Sequence, residues 1–150
     1  MADEKSSPRL ADTDLADEIE FLLARARSIG TSRANAALGA FNLKVREYSV
    51  LSLACSGLDP SQTELASFLR LDASQVVSIV DALEDRGLVV RARAEGDRRA
   101  KTIAATAAGR DLYTLAYEAA RTEEARSLAP LTATERSQLR SLLRKVALGG

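Results

Sequence analysis

The chain has 150 residues, 46% of them apolar, with 21 basic and 21 acidic side chains, one cysteine (Cys55), no histidine and no tryptophan. That length suits a single domain with a core of its own. The composition excludes an intramolecular disulfide, a histidine-based catalytic triad and a His/Cys zinc site. It leaves carboxylate-based catalysis open, but no acidic pairing stands out from helix surfaces, so no enzyme activity, cofactor or metal is expected. No apolar run reaches the length of a membrane span, and the N-terminus carries no signal-peptide pattern, which points to the cytoplasm with no membrane partner.

The opening residues 1–11 are polar and read as a flexible segment. Residues 12–150 read as one domain, mainly α with a small β-hairpin. From about Asp12 to Asn35, Leu15, Ile19, Leu22, Ala26 and Ile29 recur three or four apart, the pattern of a long amphipathic helix with acidic early turns. Gly30 and Gly39 invite a kink or break. A second helix spans about Lys44 to Cys55, with Val45, Tyr48, Leu51 and Leu53 as apolar positions, and Gly57 ends it. Ser61-Gln62-Thr63-Glu64 is a capping box that opens a third helix, and Asp72-Ala73-Ser74-Gln75 repeats the pattern for a fourth. In the fourth, Val76, Ile79, Val80 and Leu83 form one apolar stripe.

Gly87 closes the fourth helix. Leu88 to Arg93 reads as a strand, Ala94-Glu95-Gly96-Asp97 as a turn and Lys101 to Ala105 as the return strand. A fifth helix starts at Thr106 or Ala107 and runs into the 120s. After Pro130, a third capping box at Thr132 and Glu135 starts a sixth, striped by Leu139, Leu142, Leu143 and Val146.

The tight link Arg70-Leu71-Asp72 makes the third and fourth helices pack on each other, because neither short helix holds alone in water. The polar face of the fourth helix then turns outward. Its first turns present Ser74, Gln75, Val77 and Ser78, which suit base edges and a thymine methyl in a major groove. Ser61, Gln62 and Thr63 suit a phosphate. Net charge is zero, but residues 1–20 carry a local −5 and residues 86–101 a local +4. Arg86, Asp97, Arg98, Arg99 and Lys101 belong to that basic stretch, and an arginine at a hairpin tip can enter a narrow minor groove. The unit is thus expected to be a winged helix-turn-helix that binds double-stranded DNA.

Glu64-Leu65-Ala66, Leu71-Asp72, Val80-Asp81-Ala82-Leu83-Glu84-Asp85-Arg86-Gly87-Leu88-Val89, Asp97-Arg98-Arg99-Ala100-Lys101, and then Thr106 and Gly109 together resemble the multiple-antibiotic-resistance regulator (MarR) family. The resemblance covers Leu43 to the C-terminus. It implies a DNA-binding lobe over 43–105 and dimerisation helices over 12–40 and 106–150, interlocked around a two-fold axis in a homodimer. It further implies a repressor on a pseudo-palindromic operator, released by a small aromatic or phenolic ligand. Arg99 takes the place of the family's wing arginine, with Asp97 orienting it. The family pattern departs at Val77-Ser78, which replaces a more polar pair, and at Ala105-Thr106, where a larger residue is usual. No lysine or arginine lies between Arg70 and Arg86.

Asn35, Phe41, Arg46 and Tyr48 are the candidate effector-pocket residues. Two alternatives stay open. One is an oxidation-responsive regulator acting through Cys55. The other is a winged-helix module that binds protein and does not read DNA.

Overall fold

The computed structural model describes residues 8–94 and 97–149, with the backbone alone at 8, 94 and 97–100. Six helices and one hairpin follow in the expected order: α1 (Ile19–Leu38), α2 (Val45–Ala54), α3 (Gln62–Leu69), α4 (Ala73–Asp85), β1 (Val89–Ala94), β2 (Asp97–Ala105), α5 (Ala107–Ser127) and α6 (Ala133–Leu148).

The first helix begins seven residues later than its apolar pattern suggests. Residues 1–7 of the expected flexible segment lie outside the described residues. Pro8–Leu10 and Asp14–Asp17 form separate 3-10 turns. The Thr13 hydroxyl donates to the Leu10 carbonyl at 2.8 Å, and Glu18 is extended with ψ 125°, so the helical chain starts only after it. Gly30 does not break α1. Gly39 ends it, and Asn42, left-handed at φ 52°, turns the chain so that the Leu43 N–H reaches the Leu38 carbonyl at 3.1 Å.

The core gathers where α2, α3, α4 and the hairpin meet. Leu51 of α2, Leu65 of α3, Val76 and Val80 of α4, Val89 of β1 and Ile103 of β2 are all 1% exposed or less. Burial of such side chains stabilises by about 1.5–3 kcal/mol each against exposure. Ala105 is buried opposite Val89.

The caps read from the sequence are present. Ser61 Oγ accepts from the Glu64 N–H at 3.2 Å while a Glu64 carboxylate oxygen accepts from the Ser61 N–H at 2.7 Å. Gln75 accepts from the Asp72 N–H at 3.2 Å. Thr132 and Glu135 repeat the pair on α6. The α3–α4 link turns at Arg70, left-handed at φ 55°, and Gly87 at φ 67° ends the segment after α4.

The hairpin is antiparallel with Val89 opposite Ala105 and Arg93 opposite Lys101. The register then shifts so that Ala94 pairs with Asp97. Strand β2 therefore begins at Asp97, where a turn was expected, and residues 98–100 make the irregularity in the ladder. Glu95 and Gly96 lie outside the described residues. A third stretch joins the hairpin: the Ile103 N–H donates to the Pro60 carbonyl at 2.8 Å, and Ser61 bridges Thr102. This fixes the start of α3 against the wing.

Between wing and α5, Thr106 and Gly109 form one joint. Thr106 Oγ1 accepts from the Gly109 N–H at 3.0 Å and donates to the Gly87 carbonyl at 2.6 Å. A Cβ added at Gly109 would lie 2.0 Å from the Leu88 carbonyl oxygen, so only glycine allows this approach.

Candidate nucleic-acid interface

Helix α4 buries Val76, Val80 and Leu83 and leaves Ser74, Val77, Ser78 and Asp81 exposed. Those four positions lie three or four apart, so they form one outward strip along the helix. The apolar stripe read in the sequence thus sets the direction of the polar one.

Ser61, Gln62 and Thr63 come together with Lys101 and Arg91 around a cleft of about 500 Å³ between the start of α3 and the wing. Exposed backbone N–H groups at a helix start, a threonine hydroxyl and a lysine are the groups that hold a phosphate. The Glu64 carboxyl lies below its ordinary range, first because the Ser61 backbone N–H donates to it and then because the Ser61 hydroxyl does.

Arg86 stands apart from this cleft. Its guanidinium donates to the Asn42 and Phe41 carbonyls at 2.8 and 3.0 Å, which ties the end of α4 to the turn after α1. The side chains of Asp97, Arg98 and Arg99 lie outside the described residues, so the expected orienting bond between Asp97 and the wing arginine does too.

Arg91, in sequence one more cation of the basic stretch 86–101, is held by three side chains on two helices. Its side chain is 20% exposed and pairs with Asp81 and Glu84 of α4. Its Nε donates to the Gln62 side chain at 3.0 Å, and its backbone N–H donates to Glu84 at 3.1 Å. The Asp81 bond, then those to Glu84, hold its pKa above the ordinary value. One side chain therefore locks β1, α3 and α4 together and offsets acidic charge on α4. The available signal was strand alternation: Arg91 shares a strand face with buried Val89.

A second concavity, of about 670 Å³, opens between α1, the start of α2 and α4. Arg27, Lys44 and Arg46 supply positive charge against Glu47, Val45 and Ile79 supply apolar wall, and α4 contributes Ser74, Gln75 and Ser78. Of the four candidate effector residues, Asn35 and Arg46 line this groove. Asn35 also accepts from the Val45 N–H at 2.9 Å.

Phe41 and Tyr48 do not line the groove; both pack against the core. Tyr48 stacks on Tyr113 with ring centroids 5.7 Å apart. Burial, then the neighbouring Tyr113, raises its phenol pKa well above the ordinary value, so it stays neutral. Arg27, Thr31 and Lys44 were missed because nothing in the local sequence tells which turns of α1 and α2 face α4.

Cys55 is half-buried at the end of α2. Burial pushes its thiol up, partly opposed by Arg110. A sensing thiol needs the opposite shift.

A profile described as the MarR family matches residues 41–100. A solved transcriptional regulator of the MarR family from Rhodococcus sp. RHA1 is 39% identical, with a TM-score of 0.86 over 92% of this chain and 98% of the other. The chain belongs to the MarR family. Its mainly helical fold with a two-stranded wing is that of the family's transcriptional regulators, which are DNA-binding proteins and not enzymes.

CouR from Rhodococcus jostii RHA1, solved with p-coumaroyl-CoA bound, is 40% identical, with a TM-score of 0.83 over 90% of this MarR-family chain and 95% of CouR. The transcriptional repressor Rv2887 of Mycobacterium tuberculosis is 29% identical over 134 residues, which is 88% of this chain and 96% of the repressor. Rv2887 has been solved with salicylic acid, with a TM-score of 0.73 over 91% of this chain and 98% of that one, and also with DNA.

Proposed function

We propose that this MarR-family regulator is a homodimeric, cytoplasmic repressor of a pseudo-palindromic operator, released by an anionic aromatic ligand. The reading places the outward strip of α4 in the major groove, the α3 start and Lys101 on phosphates, and Arg99 in the minor groove beside them. Two copies of α4 would then have to match one DNA turn, about 34–36 Å.

One observation carries the ligand part. Ser74, Gln75 and Ser78 line the 670 Å³ groove and also occupy the first turns of α4. A molecule in that groove touches the reading helix itself. It can therefore bind one placement of α4 better than another, which is what a change of DNA affinity requires.

Three cations against one carboxylate favour an anionic ligand, and Val45 and Ile79 favour an apolar body. Salicylic acid and p-coumaroyl-CoA, the ligands of two relatives, have this chemistry. The half-buried, raised-pKa Cys55 gives no support to release by oxidation.

Selection from random duplexes tests the reading. A pseudo-palindrome should emerge, and Arg99→Ala should weaken binding to it about tenfold or more, given about 1–3 kcal/mol per good contact. Aromatic carboxylates and aromatic acyl-CoA thioesters should release the wild-type protein, and Arg46→Ala should need more of them. Failure to bind any duplex at low ionic strength, or a monomer in solution, would overturn it.

A further inference from the structure

The outward strip of α4 carries three kinds of chemistry. The Ser74 and Ser78 hydroxyls both donate and accept, so they suit several base edges. Val77 suits a methyl group. Asp81 differs from all three: a carboxylate only accepts. Its side chain is 55% exposed.

Arg91 holds Asp81 from the side. Its Nη2 donates to Asp81 Oδ1, its Nη1 to Glu84 Oε2 and its Nε to the Gln62 side chain at 3.0 Å. The guanidinium is thus committed in three directions and cannot turn to a phosphate without giving up these bonds. Glu84 has both carboxylate oxygens engaged, one by Arg91 Nη1 and one by the Arg91 backbone N–H. Asp81 has one engaged. Among the described residues, no donor reaches its Oδ2. Asp85, one turn further on, has no ion pair to fix it among the described residues.

A fixed carboxylate with a free oxygen has few partners on DNA. Phosphates repel it. In the major groove only the amino groups of cytosine and adenine can give it a hydrogen bond. The adenine amino group stands beside N7, an acceptor whose lone pair would face the carboxylate. The cytosine amino group has no acceptor beside it on its own base in that groove.

We propose that Asp81, held by Arg91, is a specificity-determining residue that accepts a hydrogen bond from N4 of one cytosine in each operator half-site. The proposal rests on the DNA reading above, with α4 in the major groove. Seven residues along a helix step by about 10 Å, or about three base pairs. The cytosine therefore stands about three pairs from the base that Ser74 meets, on the wing side. The hold by Arg91 orders the carboxylate before DNA arrives, so little side-chain freedom is lost on binding. It also sets a positive charge behind the carboxylate, which limits repulsion of the nearby phosphates.

The plainer role for Asp81 is an anchor that positions Arg91. An anchor changes affinity for every sequence alike, whereas a reader changes preference at one base pair. Full-length wild type, Asp81→Asn and Asp81→Ala are each selected against random duplexes. Wild type should demand cytosine at the position described, with any other base costing about tenfold or more in affinity. Asp81→Asn keeps an oxygen for Arg91 and gains donors. It should turn the preference there to adenine, which asparagine meets at N6 and N7, and leave the other positions as they were. Asp81→Ala should accept all four bases there within about threefold. It should also bind non-specific duplex at least as tightly as wild type, because a carboxylate near phosphates is gone.

Unchanged base preferences in both variants, or a loss equal at every sequence, would overturn the proposal and leave DNA binding standing. A wild type that binds no duplex would overturn the function above and this contact with it. Should the variants lose helix content by circular dichroism, the wild-type protein alone carries the test. N4-methylcytosine at the selected position keeps the hydrogen that pairs with guanine and loses the one facing the groove. It should weaken wild-type binding about tenfold. Equal binding of the methylated and unmethylated operators would refute the contact.

Discussion

Replacing Gly109 with alanine sets two known effects against each other. Alanine is the better helix former by about 1 kcal/mol inside a helix. The new methyl would sit 2.0 Å from the Leu88 carbonyl oxygen and 2.9 Å from its carbon, both backbone atoms that cannot rotate away. The start of α5 would have to retreat by about 1 Å to reach a tolerable contact. Two bonds would stretch past use: Thr106 N–H to the Leu88 carbonyl, now 3.0 Å, and Thr106 Oγ1–H to the Gly87 carbonyl, now 2.6 Å. Each is worth about 1 kcal/mol. Overpacking of this kind adds about 1–3 kcal/mol. The expected net is therefore a loss of about 2–4 kcal/mol, with propensity outweighed. Urea unfolding followed by circular dichroism, at fixed protomer concentration, measures it. Gly39→Ala is the control: its φ is −57° and an added methyl meets nothing, so a gain of about 0.4–1 kcal/mol is expected. A Gly109→Ala protein as stable as wild type would show that the joint between wing and α5 is not tight, and the reasoning would fail.

Arg91→Met keeps the aliphatic bulk and removes the tether. Because Asp81 and Glu84 are 55% and 38% exposed, stability should fall by only about 1 kcal/mol. DNA affinity should fall about tenfold or more, since two uncompensated carboxylates then stand on the reading helix; equal losses in a titration of both properties would contradict a positioning role. Cys55→Ser should leave peroxide sensitivity of DNA binding unchanged, and the wild-type thiol should react with iodoacetamide more slowly than a free thiol at neutral pH. A fast-reacting Cys55 would reopen the redox reading. The Glu64 and Glu135 carboxyls are held below their ordinary value of 4.5 by bonds from Ser61 and Thr132. A lowered folded pKa contributes stability above the unfolded value that is lost as pH falls through the folded one. The thermal midpoint should therefore drop as pH falls below about 4.5, less steeply in Glu64→Gln/Glu135→Gln, and equal slopes would refute it.

What the sequence discloses and what it hides divide along the range of the interactions. Capping boxes are local, so Ser61, Asp72 and Thr132 marked three helix starts to within a residue. The stripe of Val76, Val80 and Leu83 is local too, and it fixed which side of α4 faces out. Asp12 to Glu18 misled because Leu15 stands four before Ile19 and so extends the stripe of α1 backwards, and only the Thr13 and Glu18 geometry decides. The roles of Arg86 and Arg91 depend on partners up to 45 positions away in the chain. In sequence both are equivalent members of a basic run. In the fold one holds carbonyls behind α4 and the other bridges the wing to its front.

The same distinction explains how a nearly neutral helix can serve in a DNA-binding protein. Helix α4 has no basic residue and carries Asp81, Glu84 and Asp85. Left alone, it would repel phosphate. Arg91 compensates two of those carboxylates from the adjacent strand, and Lys101 supplies positive charge beside the α3 start. On the proposed reading, attraction comes from the wing side, and α4 discriminates through Ser74, Val77 and Ser78. A helix held by its neighbours more than by its own charge is sensitive to where those neighbours place it. The groove between α1, α2 and α4 is lined by Ser74, Gln75, Ser78 and Ile79, not by the Asp81 and Glu84 that Arg91 holds, and cations from two other helices meet the first turns of α4 there. A ligand acting there needs no contact with DNA. It needs only to prefer one position of α4, because the partner copy must keep its own helix one turn of DNA away.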